Sequence, residues 1–520
     1  MTRSGFRIAA LLLLAALLAT NFYRAATQSI VHDEALTWQL YLSGPASMIF
    51  QHYDANHHFL ATLLFRISTT LFGQSEFAIR LPTVLAGAWF YWTVFRLCGL
   101  VLGEGWLFLL GCAVLTLNPI LLDFLVAARG YGLAMAGLFW ALYQMLAWFH
   151  DRSNGAIPKI DDAQLRRRLW KAALGCSIAV ATNLTFIIPV FIMAAAFCVL
   201  ILRTAEKPTP ASPLPTKVRK KGNKPMPEMG PQSTRTYAPL IHFLVPVAVL
   251  AVAFLLAAPI DLARSQDFYV GSSTAVESLR NLMDVSFAYG VSSGFLHRTE
   301  QIWSNFALIF LPAMTLAALI AVSLTKQFPR SMPALAACLA SLVVVGSAIL
   351  LIAAHLVSGM LYPVDRTGVY FVPLATFAAL GFARVLMERP GLPRSVGFAV
   401  TILLASFAIE FAAQWNVKSF LVWRYDADTK RIFEALETAP KPPGQIRMGV
   451  SWVLEPALNY YRVIRNATWL APVERDGFDG LRQFYAATPP DQTTPLWASL
   501  RKIYQGPVAA TALAVPQANQ

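Results

Sequence analysis

Charge is what this 520-residue chain has least of: 13% of its residues are Asp, Glu, Lys or Arg, against 56% hydrophobic. Soluble domains carry about a quarter charged residues, so an ordinary soluble protein is excluded and a polytopic membrane protein is implied. Cysteine is scarce too. Cys98, Cys112, Cys176, Cys198 and Cys338 all lie in apolar runs with no CxxC between them, which excludes a disulfide scaffold and a thiolate metal centre. No GxGxxG, GxxxxGK[ST] or HExxH occurs, so neither a Gly-rich nucleotide cradle nor zincin-type hydrolysis has a basis here. Acids number 28 against 42 Lys and Arg, for a formal charge of +14. The basic residues sit in short segments between apolar runs, a pattern that sets membrane orientation and does not call for nucleic acid.

The apolar runs themselves organise the chain. Residues 6–23 are long enough to span a bilayer and are read as a retained first helix, and further runs centre near 91, 114, 140, 178, 195, 249, 313, 345, 378 and 404. That makes about eleven spans. Lys and Arg concentrate in 152–171 and in the Pro- and Lys-rich linker 203–238, which reads as disordered. Both are then cytoplasmic, as is the N-terminus, and 24–80, 260–300 and 357–368 face outward. Phe59, Leu63, Leu64, Ile67 and Leu71 recur at helical spacing, predicting helices along the membrane surface in 24–80. Residues 1–413 thus form the membrane domain. After Phe411 the chain turns polar, and 414–520 reads as a small outward α/β domain with a flexible tail from about 506.

The few acids then stand out. Asp33 and Glu34, in VHDEALT, follow the first span directly, and DANHHFLATLLFRISTTLFGQSEFAIRLP and NPILLDFLVAARGYGLAMAGLFWALY come after it. The acidic first outward loop, the FG-x-SEFA-x-RLP stretch and the aromatic-flanked Arg of ARGY resemble the GT-C superfamily of membrane glycosyltransferases. The likeness is to the family 39 type, the bacterial relatives of protein O-mannosyltransferases and of the aminoarabinose transferase, and it covers the first 150 residues. The resemblance implies an inverting glycosyltransferase of the bacterial cytoplasmic (inner) membrane. Such an enzyme moves a monosaccharide from a polyprenyl phosphate to a hydroxyl of a lipid, glycan or protein on the outer face.

That chemistry needs a base for the incoming hydroxyl and cations for the departing phosphate. By resemblance Asp33 is the base, with Glu34 orienting Asp33 or the acceptor. Arg366 with Tyr370, in LYPVDRTGVYFVP, is the first choice for the donor phosphate, and Arg129 and Arg80 are further candidates because guanidinium binds phosphate through two donors. Asp54, His57 and His58 are read as lining of the acceptor cavity. The resemblance implies no obligatory cofactor; in some members a divalent metal contacts the donor phosphate, and Asp54 and His57 are the candidates to hold one.

Plainer readings stand beside these. Asp33 and Glu34 could simply favour a helix N-terminus, Arg80 could pair with Glu76 and Arg366 with Asp365, and Trp38, Tyr41, Trp303 and Trp423 could mark the interface belt. Tyr269, Glu277, Arg280, Asp284, Tyr289, His297 and Arg298 read as ordinary residues of an outward loop. The competing function is a transporter or flippase of lipid-linked sugars, for which matched inverted repeats are the expected sign; none is visible. A non-catalytic membrane scaffold that binds a partner through 414–520 is a third reading.

Overall fold

The computed structural model describes residues 2–153, 162–205, 237–262, 270–288, 290, 295–324, 331–475, 477–478 and 482–517. In lipid every backbone N–H and C=O must be satisfied within the segment, so the long apolar runs become helices. In chain order these are α1 (Arg3–Thr27), the short α2 (His32–Thr37) and α3 (Met48–Gln51), α4 (Phe59–Phe72), α5 (Glu76–Leu102), α6 (Trp106–Thr116), α7 (Pro119–Phe124) and α8 (Gly130–Ser153). Then come α9 (Asp162–Thr182), α10 (Ile187–Ala205), α11 (Ala238–Ala257), α12 (Ala275–Phe287), α13 (Phe295–Leu324), α14 (Met332–Ser358), α15 (Phe371–Met387) and α16 (Leu392–Ala413).

Among the described residues nine of these are long and apolar enough to cross a membrane: α1, α5, α8, α10, α11, α13, α14, α15 and α16. The chain is a multi-pass membrane protein. Of the eleven apolar centres in the sequence, the one near 114 falls on α6, which has 11 residues, and the one near 178 on α9, whose first two turns carry Arg166, Arg167, Arg168 and Lys171. Helices α8 and α9 cross at a glycine pair. A Cβ on Gly137 would stand 2.8 Å from the Gly175 carbonyl, and one on Gly175 would stand 2.7 Å from that of Gly137. Such close backbone approach is how membrane helices gain packing without a hydrophobic drive. The bundle's outer faces are bare hydrocarbon, as at Leu256, Ile309 and Leu356.

The loop after α1 is helical, as the spacing predicts: α2 runs into a π-turn at Trp38–Leu42, and α4 leaves Leu71 and Phe72 exposed. The expected linker lies largely outside the described residues, with α10 and α11 ending and beginning beside it.

Beyond α16 the C-terminal domain holds α17 (Thr429–Thr438), β1 (Met448–Val450), α18 (Glu455–Ile464), β2 (Phe484–Ala487), β3 (Leu500–Gln505) and β4 (Ala512–Pro516). The sheet order is β1-β2-β4-β3, with β1 parallel to β2 and the other pairs antiparallel. Strands β1 and β2 with α18 form a βαβ unit. One expectation is corrected here. The segment from about 506 is no flexible tail, because β4 is an interior strand whose Ala512, Leu513 and Ala514 are buried. Small apolar side chains let it pack where composition alone suggested a linker.

This domain is fastened to the first outward loop. The Tyr461 hydroxyl accepts from Ile30 N (2.9 Å) and donates to Glu76 (3.1 Å), Lys430 Nζ lies 3.0 Å from Glu76, and Tyr460 donates to the Gln74 carbonyl (2.7 Å). Beneath these, Arg24 and Asp123 form a buried ion pair at 2.5 Å, and Asp123 also accepts the Leu421 N–H. The chain leaving α16 is thereby sewn to α1 and α7.

Candidate active site

The six-residue helix α2 places Asp33 and Glu34 on adjacent positions, and adjacent helical side chains point in different directions. They have separate environments as a result. Glu34 is completely buried. Its Oε1 accepts from Arg80 Nε (2.9 Å) and Ala128 N (2.6 Å), and its Oε2 accepts from Arg80 Nη2 (2.6 Å) and Val31 N (3.1 Å). Arg80 spends its remaining donors on the carbonyls of Ala25, Gln28 and Ser29. Neither group has capacity left for a substrate. The structure departs from the expectation of Arg80 as a phosphate ligand, since its donors are all engaged, and of the two roles expected for Glu34 its bonds fit the orienting of α2 and Asp33. Nor does Arg80 pair with Glu76, which is taken by Lys430.

Asp33 turns the other way, into a cavity of about 620 Å³. Two guanidinium groups flank its Oδ2, Arg366 Nη2 at 3.4 Å and Arg129 Nη2 at 3.6 Å. Burial opposes charge on this carboxyl, but Arg129 and Arg366 overcome it and hold it below the usual carboxylate range. Arg129 is enclosed behind Asp33, with Nη1 on Thr37 Oγ1 at 3.3 Å. Arg366 lines the cavity itself, its guanidinium 5.7 Å above the Trp423 ring. It reaches there from Asp365, which sits at φ +47° and exchanges two hydrogen bonds with Asn281, at 2.6 and 3.1 Å. Asp365 is thus committed to Asn281 and not to Arg366, and a non-glycine residue held left-handed beside a site cation is the kind of strain that working sites retain.

The rest of the wall brings together most of what the sequence nominated. Tyr370, Asp54, His57 and His58 all line the cavity. His57 lies flat on Tyr41, ring centroids 4.4 Å apart, and burial with a smaller repulsion from His52 pulls its imidazole down to about 4. His58 is also held neutral, by burial and by Arg129. Asp54 Oδ1 accepts from the Tyr41 hydroxyl (3.2 Å) and Asn56 N (2.9 Å). Among the described residues no three His, Cys, Asp or Glu side chains gather as a metal site. His57 is stacked and Asp54 Oδ1 is hydrogen-bonded, while both ring nitrogens of His57 have no hydrogen-bond partner among the described residues.

The cavity's lining includes the apolar side chains of Leu184, Ile187, Ile188, Leu351 and Leu361 and, from the C-terminal domain, Tyr425, Trp452 and Arg475. Sequence reasoning missed the contribution of the C-terminal domain. Trp423 and Trp38, read as belt residues, are buried: Trp423 in the site wall, Trp38 donating to Gln74 Oε1 at 2.6 Å. The signal available was the run WRYDAD at 423–428, aromatic and charged residues set immediately after the last span. In the loop 260–300, Tyr269 and Tyr289 and the side chains of His297 and Arg298 lie outside the described residues; Asp284 accepts from Ser304 and Glu277 from Ser272.

Compared with solved structures, the chain is similar to ArnT from Cupriavidus metallidurans bound to undecaprenyl phosphate. The match has 15% identity and a TM-score of 0.38 and covers 97% of each chain. It is similar also to the archaeal oligosaccharyltransferase AglB from Archaeoglobus fulgidus in complex with an inhibitory peptide and a dolichol-phosphate. There the identity is 10% and the TM-score 0.43, over 92% of this chain and 69% of that one. No protein-family model matches the chain, and no curated protein matches it in sequence.

Proposed function

We propose that this chain is an inverting glycosyltransferase of the GT-C type, transferring a monosaccharide from a polyprenyl-phosphate donor to a hydroxyl acceptor at the outer face of the cytoplasmic membrane. The observation that carries this reading is one carboxylate, Asp33, set between two guanidinium groups in a cavity lined by both apolar and polar side chains. The apolar lining suits a polyprenyl chain. The polar lining suits an acceptor hydroxyl. A lipid-linked donor also fits an outward site, because nucleotide sugars are made in the cytoplasm.

In this mechanism the acceptor hydroxyl gives its proton to Asp33 while its oxygen attacks the anomeric carbon. The bond from that carbon to the phosphate oxygen breaks on the opposite side, and the phosphate leaves carrying the electron pair. Arg366, the cation that lines the cavity, receives the growing negative charge, with Arg129 behind it. The same Arg366 keeps Asp33 a weak base beforehand. Once a phosphate shares that guanidinium, its hold on Asp33 slackens and the carboxylate becomes more basic, so donor binding precedes proton removal.

The test is transfer by the purified protein from a panel of polyprenyl-phosphate monosaccharides. Asp33→Asn should lower the rate by about 10²–10⁴-fold with donor binding and folding retained, and chelator should leave the wild-type rate unchanged. Undiminished transfer by Asp33→Asn rejects Asp33 as the base, and absence of transfer from the whole panel favours transport.

A further inference from the structure

We propose that the C-terminal domain carries a second saccharide-binding site, continuous with the reaction cavity, which holds the sugar units of an extended glycan acceptor beyond the one being modified. This rests on the glycosyltransferase reading for its purpose, though not for its binding test. A second cavity, of about 530 Å³, is lined entirely by the C-terminal domain. Tyr425 and Trp452 line both cavities and so form their common wall. Trp452 is 57% exposed although its ring meets that of His32 edge-on at 5.7 Å, one residue from Asp33. The Arg475 guanidinium lies over the Trp452 ring, 6.0 Å from its centroid, and the ring area still exposed at the cavity rim is costly to water and favourable to the C–H face of a sugar ring.

The polar groups of this wall are side chains, whereas its backbone is already engaged. The N–H groups of Val508 and Ala509 donate to Asp428, that of Thr488 donates to Ser451 Oγ, and the Ala510 carbonyl accepts from Gln492. A peptide adding as a strand would need those groups free. What remains is suited to hydroxyls: Asp491, whose bonds from Ser451 and Thr488 both fall on Oδ2 and leave Oδ1, and Arg424, which spends Nη1 on the Gly290 carbonyl. Pro489 and Pro490 complete a rigid floor. Ala510, at φ +55°, holds the facing turn in a left-handed conformation that Ala rarely adopts. A flat aromatic face, a free carboxylate oxygen and a guanidinium around a preformed hollow are the elements of saccharide recognition.

The experiment is binding of the purified full-length protein in detergent to a broad glycan array and a peptide array, without any donor. Retained glycans are then titrated against Trp452→Ala, Trp452→Phe, Asp491→Ala and Trp170→Ala, the last an exposed Trp on α9. The expected result is retention of oligosaccharides. Affinity should fall roughly tenfold or more in Trp452→Ala and be largely restored in Trp452→Phe. It should fall in Asp491→Ala and be unchanged in Trp170→Ala. Capture of no glycan, capture of peptides alone, or glycan binding undiminished in both Trp452→Ala and Asp491→Ala would overturn the proposal. Sugar transfer without glycan binding overturns this site alone. Trp452-dependent glycan binding without transfer supports it and counts against the enzymatic reading.

Discussion

Two neighbouring acids in this chain have opposite fates, and the difference is testable residue by residue. Replacing Glu34 with Gln leaves the Arg80 guanidinium buried beside a neutral partner, and breaking a buried pair from one side costs about 3–5 kcal/mol. Glu34→Gln should therefore lower the thermal unfolding midpoint sharply, and more than Asp33→Asn, whose carboxylate meets Arg129 and Arg366 at only 3.6 and 3.4 Å. The histidines give a pH signature. Since the folded state holds His57 down at about 4 from an ordinary 6.5, the unfolded chain takes up the proton first as pH falls. Stability is full above about 6.5 and should be lost progressively down to about 4. His57→Phe, which keeps the stack on Tyr41, should flatten part of that slope in thermal melts. The sequence made Asp33, Arg366, Tyr370, Asp54, His57 and His58 legible because acids, bases and guanidinium groups beside apolar runs are conspicuous. It could not separate Glu34 from Asp33, because which face of a short helix looks inward is decided by residues 46 and 94 positions away, Arg80 and Ala128.

At the scale of elements, α2 is too short to hold its own shape. Isolated helices of a turn or two are unstable in water, so α2 depends on outside support. It receives that support from Asp426, a fully buried carboxyl whose Oδ2 accepts the His32 N–H at 2.7 Å and whose Oδ1 accepts from Thr429. Burial holds Asp426 well above the usual carboxylate range. Asp426→Ala should remove this cap and let Asp33 drift, lowering kcat by roughly ten- to a hundredfold with donor affinity little changed. Asp426→Asn, which still offers an oxygen to His32, should recover most of the rate. The spans were readable from hydropathy and so were the surface helices, from their period. The Asp426 cap was not, since nothing local marks one acid among DAD as the partner of a backbone 394 residues earlier.

For the whole molecule, the division into a membrane bundle and a soluble cap is less sharp than the composition suggested. Tyr460, Tyr461, Lys430 and Asp426 tie the cap to the first outward loop, and the cap supplies part of the cavity wall. Strand β4 lies between β2 and β3, so a chain ending at residue 505 should lose the sheet, become sensitive to limited proteolysis after residue 414, and lose transfer activity. A merely flexible end would leave both intact. Strand pairing of this kind is invisible to composition, because AAT-ALAVP reads as a linker until Tyr485 and Ala486 stand beside it.

The hydrogen bond from His32 to Asp426 also bears on biogenesis. The segment holding Asp33 leaves the ribosome before its anchor, which follows 394 residues later. At bacterial or eukaryotic synthesis rates that interval is roughly 20 to 80 s. Throughout it α2 can have the bonds of Glu34 to Arg80 and Ala128 but not the Asp426 cap. On the proposed function, a chain terminated before Asp426 should show little or no sugar transfer.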